Sequence, residues 1–345
     1  MTTERIYKKY GPESRFTHDA VDDNWWQESA FTGWADPERG IGGAFRLGLE
    51  PNHDGKGRVT LWSGVTTPDH AIYHRCERFP YTATSRGERS WSAGDVVSFA
   101  YDEANDRLAR WTLRDEGITL DLEIEDLHTP VALFPSSGWS LKERQARDHL
   151  ECGLRVRGEV TLAGRRYAVD CGGYRDHSWG VRHWNTLTAH RWMTGTLDNG
   201  TSFCMAVFSG IDGSRFSAGM IIDHATDTAQ YSEDIDCIVF MEADGCSHRG
   251  GVSIMRMPDG SEHKFEFEPI ARAPVAWHEA VACLDAPCKV RSGSAQGVGI
   301  LESNTNPQQG QVKPQNLVSA TIENGLYTKA EQLSLRMPAR KLLGL

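Results

Sequence analysis

Alternating apolar and polar positions, joined at short turns, dominate this chain. Residues 107–126, RLARWTLRDEGITLDLEIED, form two alternating runs that meet at Asp115-Glu116-Gly117. GEVTLAGRRYAVD (158–170) repeats the pattern around Ala163-Gly164. RWMTGTLDNGTSFCMAVFSG (191–210) turns at Asn199-Gly200, and SIMRMPDGSEHKFEFEP (253–269) at Asp259-Gly260. A period of two sends successive side chains to opposite faces of a strand, and Asn-Gly or Asp-Gly between such runs is a strong hairpin signal. Four hairpins with no helical period between them predict an all-β chain. Helical expectations are few: a turn opening at Ser140 in 140–151, and a short C-terminal helix over 328–345 broken at Pro338.

The alternation is interrupted over 127–150 by two prolines and a Pro-Ser-Ser-Gly cluster. That break predicts two β-domains, 1–140 and 141–345. No repeat of 20–50 residues is present, which argues against a propeller or solenoid. The polar, Pro/Gln-rich stretch 303–316 reads as a long loop.

Composition narrows the function classes. A length of 345 residues is ample for two domains. The net charge of −10, from 37 basic against 47 acidic residues, gives no electrostatic support for a nucleic-acid partner. The N-terminus carries no apolar leader, and nothing approaches the roughly 18 apolar residues of a membrane helix. A cytoplasmic protein without an integral membrane segment is expected. Eight scattered cysteines without a C-x-x-C pair are expected to be reduced and buried, with no structural zinc. Eleven tryptophans are either fillers of wide β-interiors or the lining of a cavity for an apolar ligand.

The densest candidate chemistry is GGYRDHSWGVRHW, residues 172–184. If this stretch is extended, Arg175, His177 and Trp179 share one face, and Tyr174, Asp176 and Ser178 the other. A structural reading has Asp176 bonded to backbone amides and the guanidiniums in surface pairs. The catalytic reading has titratable groups set among rings that desolvate them and shift their pKa values. Asp176, His177, Trp179 and Tyr174 are the catalytic candidates of that reading. Arg175 is assigned to substrate binding. His149 and Glu151, two apart, share a face of the preceding strand and join it. His190 and Trp192 open the next hairpin and are expected to face His177 across strands, while Trp26, with Trp25 and Glu28, covers the cavity from the first half. His149, Glu151, Asp176, His177 and His190 could converge on a metal, but no H-E-x-x-H is present, and no metal or other cofactor is expected. G-x-S-x-G, P-loop and dinucleotide fingerprints are absent.

GYRDHSWG resembles the D-H-x-W-G signature of the carotenoid 1,2-hydratase (hydroxyneurosporene synthase) and AttH-like superfamily, which also takes in kievitone hydratase and fungal Diels–Alder cyclases. The layout of 149–184, a strand pair and glycine bend leading into the signature, is similar, as are DDNWWQESAFTGW and FRLGLEPN early in the chain. The resemblance implies two lipocalin-like β-barrels or sandwiches with a ligand site in a barrel mouth or between domains. It further implies cofactor-independent acid catalysis on a hydrophobic, alkene-bearing molecule: hydration, dehydration, isomerisation or cyclisation. His177 and Trp179 match the residues implicated in the hydratases. Asp176 matches the signature aspartate, its role open between structure and catalysis, and a second acid comes from elsewhere in the chain. A non-catalytic carrier of a hydrophobic metabolite is the alternative, and exposed barrel edges leave a homodimer open.

Overall fold

The computed structural model describes residues 6–135, 148–241, 248–271, 273, 275–278, 281–306 and 325–328. The expected domain boundary near residue 140 and the helical turn at Ser140 lie outside them. So do the C-terminal helix beyond residue 328 and most of the polar stretch 303–316. Helix among the described residues amounts to three short 3₁₀ turns, Pro12–Arg15, His53–Gly55 and Trp184–Thr186. Among the described residues no helix is long and apolar enough to cross a membrane.

The rest is antiparallel strand, as the alternation predicts. The first half supplies β1 (Trp26–Asp36), β2 (Ile41–Glu50), β3 (Arg58–Thr66), β4 (Ala71–Pro80), β5 (Ser90–Ala93), β6 (Val97–Tyr101), β7 (Leu108–Asp115), β8 (Ile118–Asp126) and β9 (Val131–Ala132). A long hairpin follows, β10 (Asp148–Leu162) with β11 (Arg165–Val181). The second half supplies β12 (Leu187–Leu197), β13 (Thr201–Gly210), β14 (Arg215–Asp223), β15 (Thr228–Ser232), β16 (Asp234–Met241), β17 (His248–Arg256) and β18 (Glu262–Pro269). It ends with β19 (Val275–His278), β20 (Val281–Ser292), β21 (Ala295–Thr305) and β22 (Gly325–Thr328). All four sequence-predicted hairpins form, as β7–β8, β10–β11, β12–β13 and β17–β18.

Two sheets result. The first runs β22-β4-β3-β2-β1-β11-β10-β8-β7-β6-β5, with β9 on β10. The second runs β15-β14-β13-β12-β21-β20-β18-β17-β16, with β19 on β20. The chain passes between them within 181–187, so the hairpin that carries the signature belongs to the first sheet. Each sheet curls, β5 approaching β2 and β3, and β16 approaching β13 and β14. Each wraps its own core: Trp34, Phe45, Trp91, Phe99 and Trp111 in the first, Phe203, Met205, Met255 and Phe265 in the second.

A third core lies between the sheets and includes Phe31, Tyr174, Trp192, Phe208 and Ile300. β1 is therefore buried at all eleven positions, one face in its own barrel and the other against the second sheet. Glycines permit this close approach. A Cβ at Gly33 would sit 2.2 Å from Ile300 Cγ1, and one at Gly153 would sit 1.8 Å from Ser202 Oγ. Thr196 Oγ1 donates across the gap to the Gly173 carbonyl at 2.8 Å.

Gly153 is also held by a buried histidine. Its N–H donates to His128 Nε2 at 2.9 Å, while His128 Nδ1 donates to the Thr129 carbonyl at 2.9 Å. Acceptance at Nε2 requires the neutral ring, and burial pushes its pKa down to about 4. Burial pushes His248 to about 4 as well. Between the unfolded histidine value of about 6.5 and this depressed value, the unfolded chain binds a proton that the fold refuses. Stability is therefore complete above about pH 6.5 and falls as pH drops toward 4, by up to about 3 kcal/mol per histidine. Urea midpoints at pH 7.5 and 4.5 should show that fall, and a His128→Gln variant, less stable at pH 7.5, should show a smaller one. An equal fall in both proteins would remove His128 from the account.

Candidate active site between the sheets

The signature strand β11 is polar because it is buried on both faces, and each face carries a different constellation. On the barrel side, Arg175 makes a bidentate pair with Asp126, Nε to Oδ1 at 2.7 Å and Nη2 to Oδ2 at 2.6 Å, and its Nη1 donates to Tyr101 Oη at 2.9 Å. Arg15 Nη2 donates to the same carboxylate at 2.9 Å. His177, fully buried, places Nδ1 2.9 Å from the Ser14 carbonyl oxygen and Nε2 2.9 Å from Glu28 Oε1. His18 Nδ1 approaches the same oxygen at 2.7 Å, and its ring stacks on Trp179 at 3.8 Å. Burial alone would raise the Glu28 carboxyl, but the hydrogen bonds from His177 and His18 outweigh it and hold the group below the usual range. Burial pushes His177 down, and the facing Glu28 only partly offsets this.

On the other face Asp176 points between the sheets. The β10–β11 register sets Glu151 opposite Asp176 and His149 opposite Ser178, so the three functional side chains meet. His149 Nε2 lies 3.3 Å from Glu151 Oε1 and 3.7 Å from Asp176 Oδ2, without the alignment of a hydrogen bond. Glu151 is fully buried; burial, reinforced by the Asp176 charge, pushes its carboxyl well above the ordinary value. The expected sharing of a face by His149 and Glu151 thus holds, and Asp176 joins them.

The second sheet supplies the facing wall. β12 pairs with β13 and β21 and not with β11, so His190 does not face His177; it meets Glu302 of β21 instead. His190 Nε2 lies 2.5 Å from Glu302 Oε1 and 2.6 Å from Asn304 Nδ2. Burial, with the charges of Arg182 and Arg191, pushes His190 well below the ordinary imidazole value, leaving a neutral ring at pH 7. Burial raises Glu302 to about 7, with the Asp176 charge adding to the rise. The carboxyl therefore holds its proton far more readily than an ordinary glutamate, and in that form it donates to the neutral His190. Behind it, burial and Glu302 itself raise Asp285 well above its usual range.

These walls line a small cavity that is partly open to solvent. His149, Asp176, His190 and Glu302 line it together with Arg46, Arg182, Trp62, Trp184, Trp192 and Phe208. A second, narrower pocket shares the Trp62 wall and reaches Asp285. Buried polar atoms without a hydrogen-bond partner gather around the first: both His149 nitrogens, His190 Nδ1 and Arg182 Nε. Each such group costs about 1–3 kcal/mol in a folded protein, so their concentration marks a place where a bound molecule can supply the partners.

Of the sequence-predicted residues, Asp176, His149, Glu151, His190 and Trp192 come together here. Tyr174 lies fully buried in the core between the sheets, 6.1 Å from Trp192 ring to ring. Arg175, His177 and Trp179 lie on the opposite face of β11, and Trp26 packs with Tyr10, Ala132, Leu150 and Trp179. Glu28 pairs with His177, and Trp25 is 38% exposed. Arg46, Trp62, Arg182, Trp184, Asp285, Glu302 and Asn304 were absent from the sequence-level set. Arg182 and Trp184 stood inside the quoted motif, but Glu302 and Asn304 sit in a run, GILESNTN, whose period distinguishes no chemistry. Among the described residues, two groups have metal-type ligand atoms within 4.8 Å of one another: His18, Glu28 and His177, and Cys283, Asp285 and Glu302. The first is already hydrogen-bonded within itself, and burial keeps the Cys283 thiol of the second protonated.

Residues 11–307 match the family described as "Domain of unknown function (DUF7064)". No curated protein sequence matches. Among solved structures, the chain is similar to a putative AttH from Nitrosomonas europaea (TM-score 0.63, 12% identity, covering 89% of this chain and 98% of that one). It is also similar to CghA with Sch210972 (TM-score 0.60, 9% identity, 84% and 90%). Kievitone hydratase from Nectria haematococca follows at TM-score 0.53 and 10% identity, covering 81% and 88%. At these identities the likeness concerns the fold, and it agrees with the lipocalin-like all-β expectation.

Proposed function

The chain belongs to the DUF7064 family, and from the two-sheet frame it shares with a hydratase and from its own cavity we propose that it is an acid–base lyase that adds water to, or removes it from, a carbon–carbon double bond. The observation that supports this reading most is the pairing of two carboxyl groups on opposite cavity walls in different environments: Glu302, raised to about 7, and Asp176 beside His149. Titratable groups set apart in this way divide into an acid and a base. In the hydration direction Glu302 gives its proton to one alkene carbon. Asp176, with His149, takes a proton from the water whose oxygen bonds to the other. Dehydration is the reverse. His190 and Asn304 orient the Glu302 carboxyl, and Glu151 acts through His149 as a buried proton reserve. Trp62, Trp184, Trp192 and Phe208 exclude bulk water and hold the unsaturated part of the substrate.

In this reading His177 is a positioning residue: with Glu28, His18 and the Ser14 carbonyl it fixes the barrel side of β11, so that Asp176 is presented to the cavity. Arg175 serves the same end through Asp126. The test is mass-spectrometric profiling in ¹⁸O-labelled water, with the purified protein incubated with cell extract. One labelled oxygen in a new product supports hydration, and a product lighter by one water supports dehydration. An unlabelled product of unchanged mass would replace the lyase by an isomerase or cyclase. No consumption, with a ligand retained in stoichiometric amount, would replace the enzyme by a carrier.

A further inference from the structure

Four arginines of the first half and the signature region are deeply buried, and they are treated in two different ways. Arg175 and Arg15 share the Asp126 carboxylate, so their charge is neutralised within the fold. Arg46 and Arg182, 3% and 8% exposed, have no such direct partner, and their charge is offset only from a distance by Asp176 and Glu302, with Glu50 acting on Arg46. Arg46 donates to two neutral acceptors, Thr60 Oγ1 at 3.1 Å and Gln27 Oε1 at 3.3 Å. Arg182 sits over the Trp184 ring, its Cζ 3.8 Å from the ring centre, with its Nε unpartnered. Among the described residues neither has a carboxylate within the 4.0 Å of an ion pair.

Both guanidiniums line the same cavity wall, close enough for the Arg46 charge to lower Arg182 to about 10 after burial has acted. Trp62 and Trp184 lie beneath Arg46, at 4.7 and 5.9 Å. Two like charges placed side by side out of water are costly unless a counter-charge joins them. Guanidinium is also the donor fork that fits a planar two-oxygen anion, and Arg182 Nε is one tine of it left open. We propose that Arg46 and Arg182 form an anion subsite, so that the substrate carries one planar, delocalised oxyanion, a carboxylate or an acidic enol, attached to its unsaturated part.

The inference rests on the lyase reading for the word substrate, and it narrows the substrate class from a hydrophobic alkene to an amphipathic one. The anion is held over Trp62 and Trp184, and the double bond then extends toward Asp176 and Glu302.

The test reads binding rather than turnover. Quenching of tryptophan fluorescence is titrated with trans-cinnamate and with the isosteric neutral trans-cinnamamide, on the full chain at pH 7.5. Cinnamate is expected to bind at least about 10-fold more tightly than the amide, the scale of a charge-assisted hydrogen bond. Arg182→Gln should remove that preference while leaving the amide affinity within about 2-fold, and Arg182→Lys should keep part of it. The wild-type comparison needs no variant to fold, and the amide titration with circular dichroism checks the fold of the variants. Equal affinity for acid and amide, no binding of either, or a cinnamate preference that survives Arg182→Gln would each overturn the subsite. None of these results touches the lyase reading, which stands or falls on the ¹⁸O product.

Discussion

Replacing Glu302 by glutamine is expected to lower kcat by about 10²–10⁴-fold, the range for loss of a positioned general acid. The amide keeps the size of the side chain and can still bond to His190, so far-ultraviolet circular dichroism and the urea midpoint should change little. The loss should fall on kcat more than on KM, because the proton moves only in the transition state. The pH profile gives a second readout. Hydration needs the protonated carboxyl, so wild-type activity should decline as pH rises through the Glu302 value of about 7. The variant should lack that descending limb in its residual activity. Retention of more than about a third of the rate, with the limb still at pH 7, would move the acid to another residue.

Asp126→Ala should be the most damaging single change to stability, at about 3–5 kcal/mol, measured as a fall in the guanidinium chloride midpoint. The side chain is 2% exposed and is the shared counter-charge of Arg175 and Arg15. Without it two guanidiniums remain in the barrel interior, and Arg175 keeps only the Tyr101 hydroxyl. Burial alone would raise the Asp126 carboxyl, but Arg175 and Arg15 hold it below the ordinary range. Its contribution is therefore present at neutral pH and lost only as acid protonates it. Asp126→Asn should cost a similar amount, since it restores volume but not charge. A loss under 1 kcal/mol in both variants would mean that water or a rearranged acid compensates the arginines. Because Asp126 acts on the barrel face of β11, the damage should reach the cavity only through strand position.

Fold class was the most legible property of the chain. Asn199-Gly200 and Asp259-Gly260 each join two alternating runs, and local turn chemistry settles such hairpins without distant partners. The hidden part was which face of β11 meets what. Alternation correctly separates Arg175, His177 and Trp179 from Tyr174, Asp176 and Ser178, yet it says nothing of which set lines a cavity. The motif histidine, the more conspicuous candidate, proved to be bonded on both nitrogens inside the barrel.

Strand order explains the rest. His190 lies only nine residues beyond Val181, and a turn between them would pair their strands. Instead the chain changes sheets, and β12 is hydrogen-bonded to β21, more than a hundred residues later. Glu302 enters the site by that long-range pairing alone, and Arg46 enters from β2 by the same kind of route. By itself, the sequence determined the strands, their turns and the two-sided character of residues 174–179, because these follow from side-chain period and backbone turn preference. Only the tertiary structure decided which buried acid keeps its proton and which arginines lack a direct counter-charge, because desolvation and Coulomb interaction depend on spatial neighbours that no local pattern encodes.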